Sequence, residues 1–99
     1  MRLAIASDTH LETTGREPIA RLIAGIAKAQ PDALVLAGDL GNPALLFEEC
    51  LSLFARLDMP VAVLAGNHDL WVHSPREHSR ELFEEQLPAI TRAAGFHWL

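Results

Sequence analysis

Three short stretches of this chain are apolar at every position. Leu3-Ala4-Ile5-Ala6 ends in Ser7-Asp8, Ala33-Leu34-Val35-Leu36-Ala37 ends in Gly38-Asp39, and Val61-Ala62-Val63-Leu64-Ala65 ends in Gly66-Asn67. Strands with one wet face alternate apolar and polar residues. Uninterrupted apolar runs of this length fit strands covered on both faces of a parallel sheet. The runs recur at the spacing of a strand–helix–strand unit. They predict parallel strands near residues 2–7, 33–37 and 60–65.

The intervening segments carry helical periodicity. From Pro18 to Ala29, Ile19, Leu22, Ile23 and Ile26 fall on one face, with Pro31 just beyond the end and Gly25 a weak point inside. A second helix has Asn42 as its expected N-cap and Pro43 in its first turn. Its apolar stripe runs through Leu46, Cys50, Leu53 and Leu57, widened by Phe47 and Phe54. Ser74-Pro75-Arg76-Glu77 has the pattern of a capping box opening a third helix, which Pro88 is expected to break or kink and Gly95 to follow. Phe96-His97-Trp98-Leu99 then reads as the start of a fourth strand. The expected fold is α/β, a β-α-β-α-β-α unit with parallel strands and right-handed crossovers, filling residues 1–99 as one domain.

Composition narrows the function classes. The chain has 99 residues, of which 49% are hydrophobic and 21% charged, a globular balance rather than a disordered one. Thirteen acidic against eight basic residues give a net charge of -5, which argues against a general nucleic-acid coat or an anionic membrane as partner. No apolar run approaches the ~18 residues of a membrane helix, and Arg2 followed by four apolar residues is not expected to act as a signal peptide. The single cysteine excludes an internal disulfide and makes a cytoplasmic location the default.

The polar residues that close the strands change the picture most. An open parallel sheet binds its ligands outside the carboxyl ends of its strands. Here those ends carry Asp8-Thr9-His10, Gly38-Asp39 and Gly66-Asn67-His68-Asp69. Carboxylates favour hard divalent ions, imidazole adds affinity for Mn, Fe or Zn, and one aspartate can bridge two ions through its two oxygens. Two ions ~4 Å apart can activate a water and clamp a phosphoryl group. Glycines before Asp39 and Asn67 let the backbone turn sharply beside a ligand.

In order, in spacing and in position after each strand, D-x-H at Asp8–His10, G-D at Gly38-Asp39 and G-N-H-D at Gly66–Asp69 resemble the first three motifs of the calcineurin-like metallophosphoesterases. The four-residue match alone arises by chance in about one in several thousand chains of this length. The resemblance implies that Asp8 and His10 bind a first metal, that Asp39 bridges two metals, and that Asn67 gives its side-chain carbonyl to the second. It implies that His68 acts on the phosphate as acid or transition-state stabiliser, and that Asp69 orients His68 from behind. It further implies a hydrolase, a phosphatase or a phosphodiesterase, in which water attacks a phosphoester at a dinuclear centre of Mn, Fe or Zn. In fold it implies the N-terminal half of an αββα sandwich.

The family's later metal-binding histidines, including those of a G-H-x-H motif, have no counterpart here, since no G-H dipeptide occurs. The chain is therefore expected to be a fragment of a longer enzyme, with a partial domain that is inactive or weakly active in isolation. The rival reading is a non-catalytic binding scaffold of the same fold. A nucleotide-binding module is disfavoured because no glycine-rich phosphate loop follows the first strand. Monoester, diester, nucleotide, phosphoprotein and lipid phosphate all remain compatible substrates, and no residue specifies a homo-oligomer. Of the remaining residues, Cys50 reads as a small buried hydrophobe, Glu81, Glu84 and Glu85 as a solvated helix face, and His78 and His97 as structural or exposed. Trp71 and His73 either flank the site or pack and solvate their loop, and Arg16 and Arg76 are candidate phosphate contacts.

Overall fold

A computed structural model describes residues 1–70 and 78–99, with His68 described by its backbone alone. Four strands, β1 (Leu3–Ala6), β2 (Ala33–Ala37), β3 (Val61–Leu64) and β4 (His97–Trp98), form one parallel sheet in the order β1-β2-β3-β4. Between them lie α1 (Leu11–Thr14), α2 (Arg16–Ala29), α3 (Ala44–Phe54), a 3-10 turn at His68–Leu70, α4 (Ser79–Glu81) and α5 (Leu87–Ala93). The expected parallel strands, the two central helices and the fourth strand are all present. The signal for a helix start at residues 74–77 lies outside the described residues.

A strand order that follows chain order, combined with right-handed crossovers, puts every connecting helix on the same side of the sheet. The packing agrees: α2 rests on α3, and α3 on α5. Ala4, Ala6, Leu34, Leu36, Val61, Val63 and Trp98 face this helical layer, where they meet Ile19, Ile23, Phe47, Leu51, Phe54 and Leu87. The opposite face carries no described helix. Leu3 is 52% and Ile5 68% exposed on it, and the register sets Val35 beside Ile5 and Ala62 beside Val35. Among the described residues the strands are thus covered by helices on one face only. The second face is apolar, so its residues read as buried ones, but every described helix lies on the other side.

Local differences have identifiable causes. Helix α3 starts at Ala44, with the Pro43 carbonyl accepting the N–H groups of Leu46 and Phe47, one residue later than an Asn42 cap would place it. Asn42 is instead buried, and its side-chain amide donates to the Asp69 carbonyl at 3.5 Å. The break expected at Pro88 takes the form of a change of helix type. Proline has no N–H and its ring crowds the carbonyl four residues back, here Glu84. The turn before it, Leu82–Gln86, is a π-helix, whose wider spacing takes up that misfit, and the helical path continues into α5 with Pro88 in its first turn. Gly95 follows α5 at φ +84°, a left-handed position suited to glycine. Edge-on contact of Phe83 with Trp98, centroids 5.9 Å apart, fixes the π turn against β4. No described helix is long and apolar enough to cross a membrane.

Candidate metal centre

Strand pairing does not stop where β1 and β2 end. Asp8 N–H donates to the Gly38 carbonyl, His10 N–H to that of Asp39 and Leu11 N–H to that of Leu40, each at 3.0 Å. The buried Thr9 hydroxyl adds a bond to the Leu40 carbonyl, also at 3.0 Å. The loop after β1 is thereby laced residue by residue to the loop after β2. Within it Asp8, His10 and Asp39 sit at φ +58°, +43° and +53°. Non-glycine residues in the left-handed region are uncommon and cluster where surrounding structure over-determines them. Three of the four described here are candidate metal ligands; Gln30, which ends α2, is the fourth.

The loop after β3 meets the other two through glycine and through Asp69. A Cβ on Gly38 would come within 2.5 Å of the Gly66 nitrogen, and one on Gly66 within 2.4 Å of the Asp39 nitrogen and 2.2 Å of its Oδ1. Backbone therefore lies directly on backbone at this point, which only glycine permits. Asp69 is 1% exposed. Its Oδ2 accepts the N–H groups of Asp39 at 2.7 Å and Gly66 at 2.9 Å, and its Oδ1 those of Leu40 at 2.9 Å and Gly41 at 3.2 Å. Burial pushes the Asp69 carboxyl above the usual carboxylate range, and these backbone donors oppose the shift. The orienting contact to His68 implied by the family resemblance involves a side chain outside the described residues.

One ligand atom each from Asp8, His10 and Asp39 lie within 4.8 Å of one another. His10 Nε2 stands 3.5 Å from Asp8 Oδ1. Two atoms bound to one ion at ~2.1 Å in tetrahedral geometry are ~3.4 Å apart, so the His10–Asp8 pair already has the spacing of two ligands on one divalent cation, with an Asp39 oxygen close by. Two carboxylates and an imidazole suit Mn, Fe or Zn. A hydrogen bond from the Ser7 side chain holds the Asp8 carboxyl below the usual range, with smaller contributions from Asp39 and from His10 beside it, and burial opposes them. Asn67 stands exposed on the same rim, directly after Gly66.

Other expected residues fall elsewhere. Arg16 pairs with Glu49 on α3. Glu81, Glu84 and Glu85 are exposed as expected, and so are His78 and His97. Trp71, His73 and Arg76 lie outside the described residues. Cys50 is fully buried beneath the site, its Sγ 3.5 Å from Thr9 Oγ1, and burial pushes its thiol up to about 11. Sequence reasoning missed Glu12. Its Oε1 lies 3.3 Å from His10 Nδ1, and its Oε2 accepts the Asn42 N–H at 3.3 Å. The available signal was its position two residues after a candidate histidine ligand.

A family profile described as calcineurin-like phosphoesterase matches residues 1–99. A probable cyclic nucleotide phosphodiesterase from Pseudoalteromonas sp. (strain SM9913) is 37% identical over an 83-residue alignment, covering 70% of this chain and 31% of the relative. The crystal structure of phosphopantetheinyl hydrolase from Mycobacterium tuberculosis matches with a TM-score of 0.76 at 24% identity, a likeness in fold, covering 98% of this chain and 34% of that one. The chain thus spans about a third of the length of each.

Proposed function

Because the chain belongs to the calcineurin-like phosphoesterase family, we propose that it supplies the first metal-binding loops of a metal-dependent phosphodiester hydrolase. The observation that carries this reading is the convergence of Asp8, His10 and Asp39 from two strand ends into one cation-sized group. The diester preference rests on the relative whose name is probable cyclic nucleotide phosphodiesterase.

In this proposal His10 would bind through Nε2, the nitrogen facing Asp8, and Asp8 would contribute a carboxylate whose ionised form the Ser7 hydrogen bond favours. Asp39 would serve both ions, and Asn67 would add its side-chain carbonyl to the second. When bound, the divalent ions supply an activated water and neutralise charge on the phosphoryl oxygens. Among the chain's own groups, His68 donates a proton to the leaving oxygen as the P–O bond breaks, so that an alcohol rather than an alkoxide departs. Asp69, Gly38 and Gly66 hold the loops that present these groups.

The test is turnover by the full-length protein, loaded with Mn2+, of bis(p-nitrophenyl) phosphate, p-nitrophenyl phosphate and a cyclic mononucleotide. Diester cleavage exceeding monoester cleavage, abolished by a chelator and by Asp39→Asn, is the expected result. A protein inert towards all three with Mn, Fe and Zn refutes the proposal and leaves a binding scaffold.

A further inference from the structure

We propose that Glu12 is the positioning residue for His10, fixing which imidazole nitrogen carries the proton and which faces the cation. The inference rests on reading Asp8, His10 and Asp39 as a metal group. His10 is left-handed and immediately precedes α1, so the first turn of that helix folds back beside its ring. Glu12, in that turn, reaches His10 Nδ1 with Oε1 at 3.3 Å. The other ring nitrogen, Nε2, points the opposite way, 3.5 Å from Asp8 Oδ1. A neutral imidazole has one N–H and one lone pair. Both ring nitrogens face a carboxylate, and a carboxylate accepts without donating; Glu12 is the nearer and less exposed acceptor, at 3.3 Å and 25% exposed against 3.5 Å and 62% for Asp8, so the N–H is assigned to Nδ1 and the Nε2 lone pair is left for a cation.

Glu12 is itself held. Its second oxygen accepts the backbone N–H of Asn42 at 3.3 Å, and its side chain is only 25% exposed. Both oxygens are engaged on the side of His10 remote from the carboxylate pair, which separates Glu12 from the ligands themselves. A carboxylate behind a ligating histidine fixes its tautomer, stiffens the ring and raises the basicity of the binding nitrogen. The Asn42 anchor ties that function to the loop carrying Asp39, so the two metal-facing loops share one carboxylate.

Two measurements on the full-length protein test the proposal. The first is the tautomer of His10 in the metal-free protein at mildly alkaline pH, read from long-range 15N–1H correlations. Wild type is expected to show the Nδ1–H form. Glu12→Ala should populate the Nε2–H form, and Glu12→Gln, whose single carbonyl can still accept from Nδ1 while its NH2 gives up the Asn42 bond, should retain the wild-type tautomer. The second is Mn2+ affinity, read from the electron paramagnetic resonance signal of the free ion. Glu12→Ala is expected to weaken it about 10- to 100-fold, and Glu12→Gln to stay within about threefold of wild type.

An Nε2–H tautomer in wild type overturns the proposal, as does Glu12→Ala with an unchanged tautomer and unchanged affinity even where its melting temperature falls. Should Glu12→Ala fail to fold, the wild-type tautomer and Glu12→Gln still decide the matter. Should wild type bind no Mn2+, the hydrolase reading fails, while the tautomer alone continues to judge Glu12.

Discussion

The Asp69 carboxylate accepts the backbone N–H of Asp39 at 2.7 Å, across 30 residues of sequence. Through this bond a side chain from the third strand end sets the backbone of the candidate bridging ligand on the second. Three more backbone donors share the same carboxylate, which fills its usual acceptor capacity.

Asp69→Ala is expected to strip an acceptor from four backbone N–H groups and to destabilise the protein by about 3 kcal/mol or more. Asp69→Asn should be nearly as damaging, because its amide turns an NH2 towards N–H donors. Urea denaturation checks both; an Asp69→Asn variant within about 0.5 kcal/mol of wild type, the scatter of a neutral surface change, would contradict the bonding described.

Asp39→Asn and Asp39→Ala should separate chemistry from backbone strain. Asparagine tolerates a φ of +53°, so Asp39→Asn is expected to melt close to wild type while losing metal affinity. Asp39→Ala should lose both affinity and about 1 kcal/mol of stability. Titration with Mn2+ alongside thermal melts distinguishes the two.

Two glycine substitutions should have opposite signs. Gly66→Ala drives a Cβ against the Asp39 nitrogen, which cannot swing aside as a side chain can, and should cost about 2 kcal/mol or more with weaker metal binding. Gly25 sits inside α2, and a Cβ added there would meet nothing within 4 Å, so Gly25→Ala should stabilise by about 0.5–1 kcal/mol. Chemical denaturation of both variants checks the signs.

Cys50 yields a pH prediction. Its thiol ionises near 9.0 when free and at about 11 in the fold, because burial disfavours the thiolate. A raised folded pKa means that this contribution is complete below pH 9 and is lost as pH climbs towards 11. Stability should therefore fall across that window by up to about 3 kcal/mol, and Cys50→Ala should abolish the Cys50 part of the fall. Native protein should also react with a thiol reagent at about pH 8 far more slowly than unfolded protein.

The strands, their direction and the residues gathered at their ends were legible because each is a local pattern: an apolar run, a glycine, a polar triplet. The one-sided helical layer was not. Leu3, Ile5 and Val35 are as apolar as the buried Leu34 and Leu36, and strand order is set by crossovers rather than by any residue. Asp8, His10 and Asp39 could be nominated from motif and spacing, and the structure draws them together. Glu12 escaped because its role depends on α1 folding back over His10. The part Asp69 plays beneath Asp39 escaped because a sequence names its neighbours in the chain, and its backbone donors at residues 39–41 lie far along it. Pro88 announced a disturbance, but a break, a kink and a π turn share the same residue-level signal.

The lacing of the three strand ends bears on how the protein comes apart. Asp8, Asp39 and Asp69 are joined only after two crossovers have closed, so no single loop assembles its share of the site by itself. Conversely, no loop can open without releasing bonds held by the others, and their amides at residues 8, 10, 39 and 40 should exchange with solvent together, near the rate set by global unfolding. The candidate metal centre is therefore formed with the sheet as one cooperative unit, and any cation it holds draws its stabilising effect from the whole of that unit.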